Sequence, residues 1–180
     1  TGCWVQVTNP AQSMPNLSGL TSKLKERFVV VSDVYPTVTT DQAAVVLPSA
    51  LWVEKNGVFG NSERRTQQWF KMVEPPGDAR DDVWQVLAVA RKCFDLGHPG
   101  MQNKDGEFLF TFKGADGQPL EIWKWEVFKA HNVDWMLFEE YRPFTKVKHK
   151  DLAPYDVYVK AHGLRWPVLQ QPDGTWQETK

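Results

Sequence analysis

The chain has 180 residues, a formal net charge of −1, 42% hydrophobic residues and 24% charged ones. That length suits one ordinary domain with a real core, and the composition is globular rather than disordered. The near-neutral charge gives no global case for nucleic acid or an anionic membrane surface, and no window approaches the roughly 18 uninterrupted apolar residues of a membrane span.

Thr1 stands just ahead of an apolar run, Cys3-Trp4-Val5-Gln6-Val7, which ends at the polar turn Thr8-Asn9-Pro10. A secretory signal needs a basic segment and a longer apolar one. Residue 1 is Thr rather than Met, and Trp176–Lys180 closes straight after a turn, so both ends are expected to be cut and the chain to be an internal piece of a larger protein. After a loop with Pro15, Asn16 and Gly19 comes Phe28-Val29-Val30-Val31, continuously apolar and β-branched, the pattern of a strand buried on both faces. It stops at Ser32-Asp33. Ala43–Leu47 repeats the pattern and stops at Pro48-Ser49, and Thr37–Gln42 between them has room for a short helix. Strands that end in polar loops across short connections predict a parallel sheet with ligands at the strand C-termini.

The next clear element is a helix predicted from Gly77 to Phe94. Asp78 is the candidate N-cap, Asp81 and Asp82 sit in the first turn, Val83, Leu87, Ala90 and Phe94 form the apolar stripe, and Arg91 and Lys92 suit the last turn. Residues 101–180 change character. Asp105-Gly106, Asp116-Gly117 and Asp173-Gly174 mark turns, Phe108, Phe110 and Phe112 alternate like one face of a strand, and Val133–Tyr141 reads as a short helix stopped near Pro143. Lys146–Lys150 is a small basic cluster with the look of a solvated loop. The expected fold is α/β: part of a Rossmann-like parallel-sheet lobe, then an irregular, turn-rich segment with short strands and helices.

Cys3 and Cys93 form no CxxC pair, so the chain encodes no iron–sulfur or zinc cluster, and both are expected to be buried thiols. Most of the nine tryptophans belong in a core or an interface. His98, His131, His149 and His162 lack metal-ligand spacing, and no P-loop, G-x-S-x-G, H-E-x-x-H or G-x-G-x-x-G occurs.

Five polar residues carry the functional reading. Ser32 and Asp33 put a hydroxyl and a carboxylate just past a buried strand, where a carboxylate can accept paired hydrogen bonds from guanine or from ribose hydroxyls. A helix cap or an Asx-turn explains the same pair without a ligand. Lys55 lies beyond the second strand, where it either neutralises a phosphate or simply faces solvent. Asp82 serves a ligand or the helix dipole, and Asn9 a ligand or a turn. Asn61, Glu63, Arg64 and Arg65 form a salt-bridge network or meet an anion; spacing leaves both open.

Taken together, the run from Phe28 to Gln67 resembles the molybdopterin oxidoreductase superfamily. The shared pattern is strand–Ser–Asp, then Ala-Val-Val-Leu-Pro, then Glu–x–x–Gly–x–x–x–Asn–x–Glu–x–Arg. Within it, Tyr35-Pro36-Thr37-Val38, Trp52-Val53-Glu54-Lys55 and Glu63-Arg64-Arg65-Thr66-Gln67 are similar to catalytic large subunits of periplasmic nitrate reductases, as are Gly77–Trp84, Asp151–Asp156 and Arg165–Val168. The resemblance implies a molybdenum carrying two molybdopterin guanine dinucleotides, a 4Fe-4S cluster in the intact enzyme, and two-electron reduction of nitrate to nitrite. It also implies a periplasmic location and a cytochrome-type electron-donor subunit. Asn9, Ser32, Asp33, Lys55 and Asp82 are the matching cofactor-binding positions, with Asp33 the best match for guanine. No catalytic or metal-ligating residue of the family matches a position here, so the 180 residues alone are expected to be inactive. Residues 1–95 would be part of the dinucleotide-binding α/β region, and 96–180 a turn-rich insertion leading toward a C-terminal domain. A relative acting on formate, an assimilatory nitrate reductase and a non-catalytic Rossmann-like nucleotide-binding module are the alternatives.

Overall fold

The computed structural model describes residues 2–146 and 151–179. Strand β1 (Gly2–Gln6) leads through two short helices, α1 (Pro10–Ser13) and α2 (Leu17–Lys25), into β2 (Phe28–Asp33) and β3 (Val45–Pro48). The three strands form a parallel sheet with β2 in the middle. Its register pairs Gln6 with Ser32 and Asp33 with Pro48. All three strands therefore finish along one edge, as the hydrophobic runs and polar stops predict.

Val29 and Val31 are fully buried against Ala11 of α1 and Leu24 of α2. Ser32, on the opposite face, meets helix α3 (Asp82–Asp95) through Gln85. Cover on both faces is thus confined to the centre and the C-terminal end of the sheet. Phe28 is exposed, and so are Val45 and Val46 on opposite faces of β3. The expectation of a second strand buried on both faces is corrected here: β3 is an edge strand, and a continuous apolar run does not reveal position within a sheet. The 37–42 segment forms one 3₁₀ turn, Thr40–Gln42, with Thr37 and Thr40 bonded to each other.

Beyond the sheet, β4 (Gly57–Gly60) and β5 (Arg65–Trp69) make an antiparallel hairpin whose second strand also pairs with β8 (Leu164–Arg165). After α3 come a small hairpin of β6 (Phe112–Lys113) and β7 (Pro119–Leu120), helices α4 (Trp125–Ala130), α5 (Val133–Thr145) and α6 (Tyr155–Ala161), and a last hairpin of β9 (Val168–Gln170) and β10 (Trp176–Glu178). Asp116-Gly117 and Asp173-Gly174 turn these hairpins, with positive φ at both glycines. One core packs Leu87 of α3 on Ile122, Phe128 and Val133; another gathers Phe138, Tyr155, Tyr158 and Val168.

The structure corrects four further expectations. Helix α3 starts at Asp82 rather than near Gly77, because Arg80 N–H bonds the Pro48 carbonyl and Ser49 bridges Arg80, drawing residues 78–80 into the end of β3. Helix α5 runs to Thr145 through Pro143, since one missing N–H near a final turn removes little support. Phe108, Phe110 and Phe112 do not share a strand. Phe108 is buried edge-on to Phe110 and Trp123 in an irregular segment, and only Phe112 lies in β6. Cys3 is exposed on the edge strand β1 and Cys93 is half-buried; both are free thiols. Of the Lys146–Lys150 cluster, residues 147–150 lie outside the described residues.

Candidate functional site

The C-terminal edge of the parallel sheet brings most of the singled-out residues into one region. Its backbone ladder continues past the strands, with Val7 N–H on the Ser32 carbonyl and Ser49 N–H on the Asp33 carbonyl. Asp33 ends β2 half-buried, and its Oδ1 accepts the Val34 N–H at 2.7 Å. Among the described residues its other oxygen meets no donor. Asn9, at the start of α1, is tied at both ends of its amide. Its Oδ1 accepts from the Thr39 hydroxyl at 2.6 Å, and its Nδ2 donates to Gln12 at 2.7 Å. It pins α1 to the 37–42 segment and lines a shallow cleft with Gln12, Thr37 and Asp41.

Ser32 lies behind the edge. It is fully buried, accepts the Trp4 indole N–H at 2.8 Å, and donates to Gln85 Oε1 at 2.6 Å. Gln85 is itself only 4% exposed, and its Nε2 reaches the Pro48 carbonyl at 3.0 Å and the Ser49 hydroxyl and Arg80 carbonyl at 3.3 Å. Sequence reasoning missed Gln85. The stripe Val83, Leu87, Ala90, Phe94 shows only one buried helix face, whereas α3 is covered on two sides. The only available signal was a polar residue flanked by apolar ones.

Lys55 and Asp82 form an ion pair, with each side chain 17% exposed. Asp82 stands in the first turn of α3, and Gln6 Nε2 donates to its carbonyl at 3.2 Å. Asp82 Oδ1 is buried and meets no donor among the described residues. The pair adjoins a recess of about 80 Å³, too small for a nucleoside, walled by Glu54, Asp81, Trp125, His131 and Asp134. The charged loop of the sequence is a hairpin tip: Arg65 binds Glu63, Glu178 and the Gly163 carbonyl, which makes a structural network.

Asp81 caps α3, accepting the Val83 N–H at 2.8 Å. Burial, helped by the Asp134 charge, pushes its pKa from 3.8 up to about 6, while the cap bond and Lys55 oppose the rise. Burial also raises the pKa of Asp134. A carboxyl whose folded pKa exceeds its unfolded one holds its proton more tightly when folded. Its favourable contribution is complete below the unfolded value and is lost as pH rises through about 6. Asp81→Asn keeps a capping oxygen without the charge. The variant should gain stability over the parent between pH 4 and pH 7, reaching up to about 3 kcal/mol at the upper end. Urea unfolding across that range checks this, and a pH-independent difference would refute it.

The sequence model of the molybdopterin oxidoreductase family matches residues 1–92. The match takes in the whole parallel sheet, the strand-end edge and most of α3, which is just over half of the 180 residues. With that sheet, that edge and that match together, the chain belongs to the molybdopterin oxidoreductase family, enzymes that work with a molybdenum–pterin cofactor.

Proposed function

We propose that this chain supplies part of the cofactor site of a periplasmic, molybdenum-dependent nitrate reductase. The cofactor in this reading is molybdenum bis(molybdopterin guanine dinucleotide), and the site lies in residues 1–95. The observation that carries the proposal is Asp33: a half-buried carboxylate with one oxygen unengaged among the described residues, at the C-terminal edge of a parallel sheet within the family-matched region.

In this reading Asp33 offers acceptors to guanine N–H groups or ribose hydroxyls at the open strand-end edge. Asp82 Oδ1, buried beside the small recess, would take its donor from a smaller group than a nucleoside. Lys55 would hold its ammonium near cofactor phosphate, with Asp82 fixing its position and tempering its charge. Asn9 shapes the neighbouring cleft, and Ser32 supports the edge from behind. When bound, the molybdenum supplies the two-electron transfer of an oxygen atom from nitrate; the residues here bind and orient. Nitrate-reductase character rests on the Trp52–Lys55 and Glu63–Gln67 signatures. In the same reading a 4Fe-4S cluster, held by other segments of the intact enzyme, passes electrons from a cytochrome-type donor, and residues 96–180 are an insertion leading toward a further domain.

The test uses the intact enzyme. Purified protein should contain molybdenum, release GMP on acid hydrolysis, and reduce nitrate with a reduced viologen. Molybdenum with CMP or no nucleotide would remove the guanine assignment, and formate oxidation without nitrate reduction would replace the substrate.

A further inference from the structure

Beneath the strand-end edge runs a directional hydrogen-bond chain. The Trp4 indole donates to Ser32, Ser32 donates to Gln85, and Gln85 donates to the backbone at the end of β3. Every member serves a different element: β1, β2, α3 and β3. Ser32 and Gln85 are both more than nine-tenths buried, so water cannot replace a lost partner. The Gln85 amide is used in full. Its oxygen accepts one bond, and its two N–H groups are shared among the Pro48 carbonyl, the Ser49 hydroxyl and the Arg80 carbonyl. The functional residues hang directly from this chain. Asp33 follows Ser32 in β2, and Asp82 lies one helical turn before Gln85. Arg80, whose carbonyl Gln85 holds, leads into the Asp81 cap and so fixes where α3 begins.

We propose that Gln85 is a positioning residue for cofactor binding: it locks the ends of β2 and β3 to the start of α3 and thereby sets the placing of Asp33 and of the Lys55–Asp82 pair. This rests on the dinucleotide reading above for its consequence, but not for its geometry. An apolar side chain of similar length would leave the Ser32 O–H without its acceptor and would take from the Pro48 carbonyl one of its two donors, the other being the Arg80 N–H. Relief comes only by letting the strand ends and the helix start move apart. A residue that only filled space would show no such effect on Lys55 or on nucleotide.

The experiment compares Gln85→Met, Ser32→Ala and Gln85→Glu with the parent in the intact enzyme. It has three readouts: acylation of Lys55 relative to exposed Lys113 by mass spectrometry, GMP released per polypeptide, and the denaturant midpoint. Asp82→Asn calibrates the labelling of an unpaired Lys55. Gln85→Met should raise Lys55 labelling toward that calibrant and reduce retained GMP by about tenfold, at protein concentrations where the unfolded fraction is negligible. Gln85→Glu provides the conservative rescue. Its protonated carboxyl can still accept from Ser32 and donate to Pro48, so Lys55 labelling should return to the parent value at pH 5 and depart from it at pH 8. The parent measured at the same pH cancels every other effect of pH on the charged groups around the start of α3, Asp81, Asp82, Asp134 and Lys55, which both proteins share. Should Gln85→Met fail to fold, Ser32→Ala and the pH response of Gln85→Glu carry the same test. Lys55 labelling within twofold of the parent in all the folded variants overturns the proposal. Raised labelling in variants of a parent that itself holds no guanine nucleotide supports the positioning and removes the guanine reading instead.

Discussion

Asp33→Ala in the intact enzyme should lower cofactor affinity by roughly tenfold to a hundredfold, the equivalent of one or two charge-assisted hydrogen bonds. The change should appear as molybdenum and GMP lost from the polypeptide during gel filtration. The fold should survive, because the only side-chain bond Asp33 makes among the described residues is to its neighbour Val34. The backbone bond from Ser49 to the Asp33 carbonyl does not depend on the side chain. Melting temperature of the cofactor-free protein should therefore stay close to that of the parent. Asp33→Asn separates charge from shape: it keeps one acceptor but offers an N–H₂ where guanine would also present donors. It should bind only marginally better than the alanine variant. Unchanged molybdenum and GMP contents in Asp33→Ala would sink the guanine assignment outright.

Ile122→Ala should cost about 3–4 kcal/mol in unfolding free energy, the upper part of the range for a buried branched residue. Ile122 is fully buried where Leu87 of α3 meets Phe128 and Val133. Flanking rings restrict collapse around the gap: Trp84 and Trp125 pack edge-on, and Arg91 lies over Trp123 with its guanidinium 4.4 Å from the ring centre. This joint fastens the sheet-bearing half to the aromatic half through α3. Equilibrium urea unfolding measures the cost, and a loss below about 1 kcal/mol would mean that the joint is slack. Because α3 also carries Asp82 and Gln85, the loosened variant should hold nucleotide less well in proportion.

Period and punctuation made the sheet legible in advance. Two apolar β-branched runs with polar stops give parallel strands whose ends share an edge, and the i, i+4, i+7 stripe gives α3. What stayed hidden depended on partners distant in sequence. The exposure of Val45 and Val46 follows from the place of β3 at the sheet edge, and no local pattern encodes that. Helix α3 starts five residues after Gly77 because Arg80 bonds to Pro48, a contact invisible to capping rules. Among the candidate site residues, Asp33 stands at the strand end where the sequence puts it. Lys55 and Asp82 stand 27 residues apart in sequence, and only the fold joins them as an ion pair. The sequence places the Ser32 hydroxyl with Asp33 just past the strand, whereas in the structure Ser32 lies within β2 and strand alternation turns it inward to Gln85, a residue that the one-sided helix pattern passes over.

The pairing of β5 with β8 also orders events in time. Arg65 reaches the carbonyl of Gly163 across a sequence separation of 98 residues, and Thr66 pairs with Leu164. The three parallel strands lie within the first 48 residues and close over much shorter loops. During synthesis, the sheet and its helices can therefore assemble long before β5 finds its outer neighbour. Until residue 164 emerges, that strand presents an unpaired backbone edge. A ribosome-bound chain stopped short of residue 160 should thus be cut by protease within residues 60–69 while its first 48 residues resist, and the protection should spread to the hairpin only once β8 is clear of the exit tunnel.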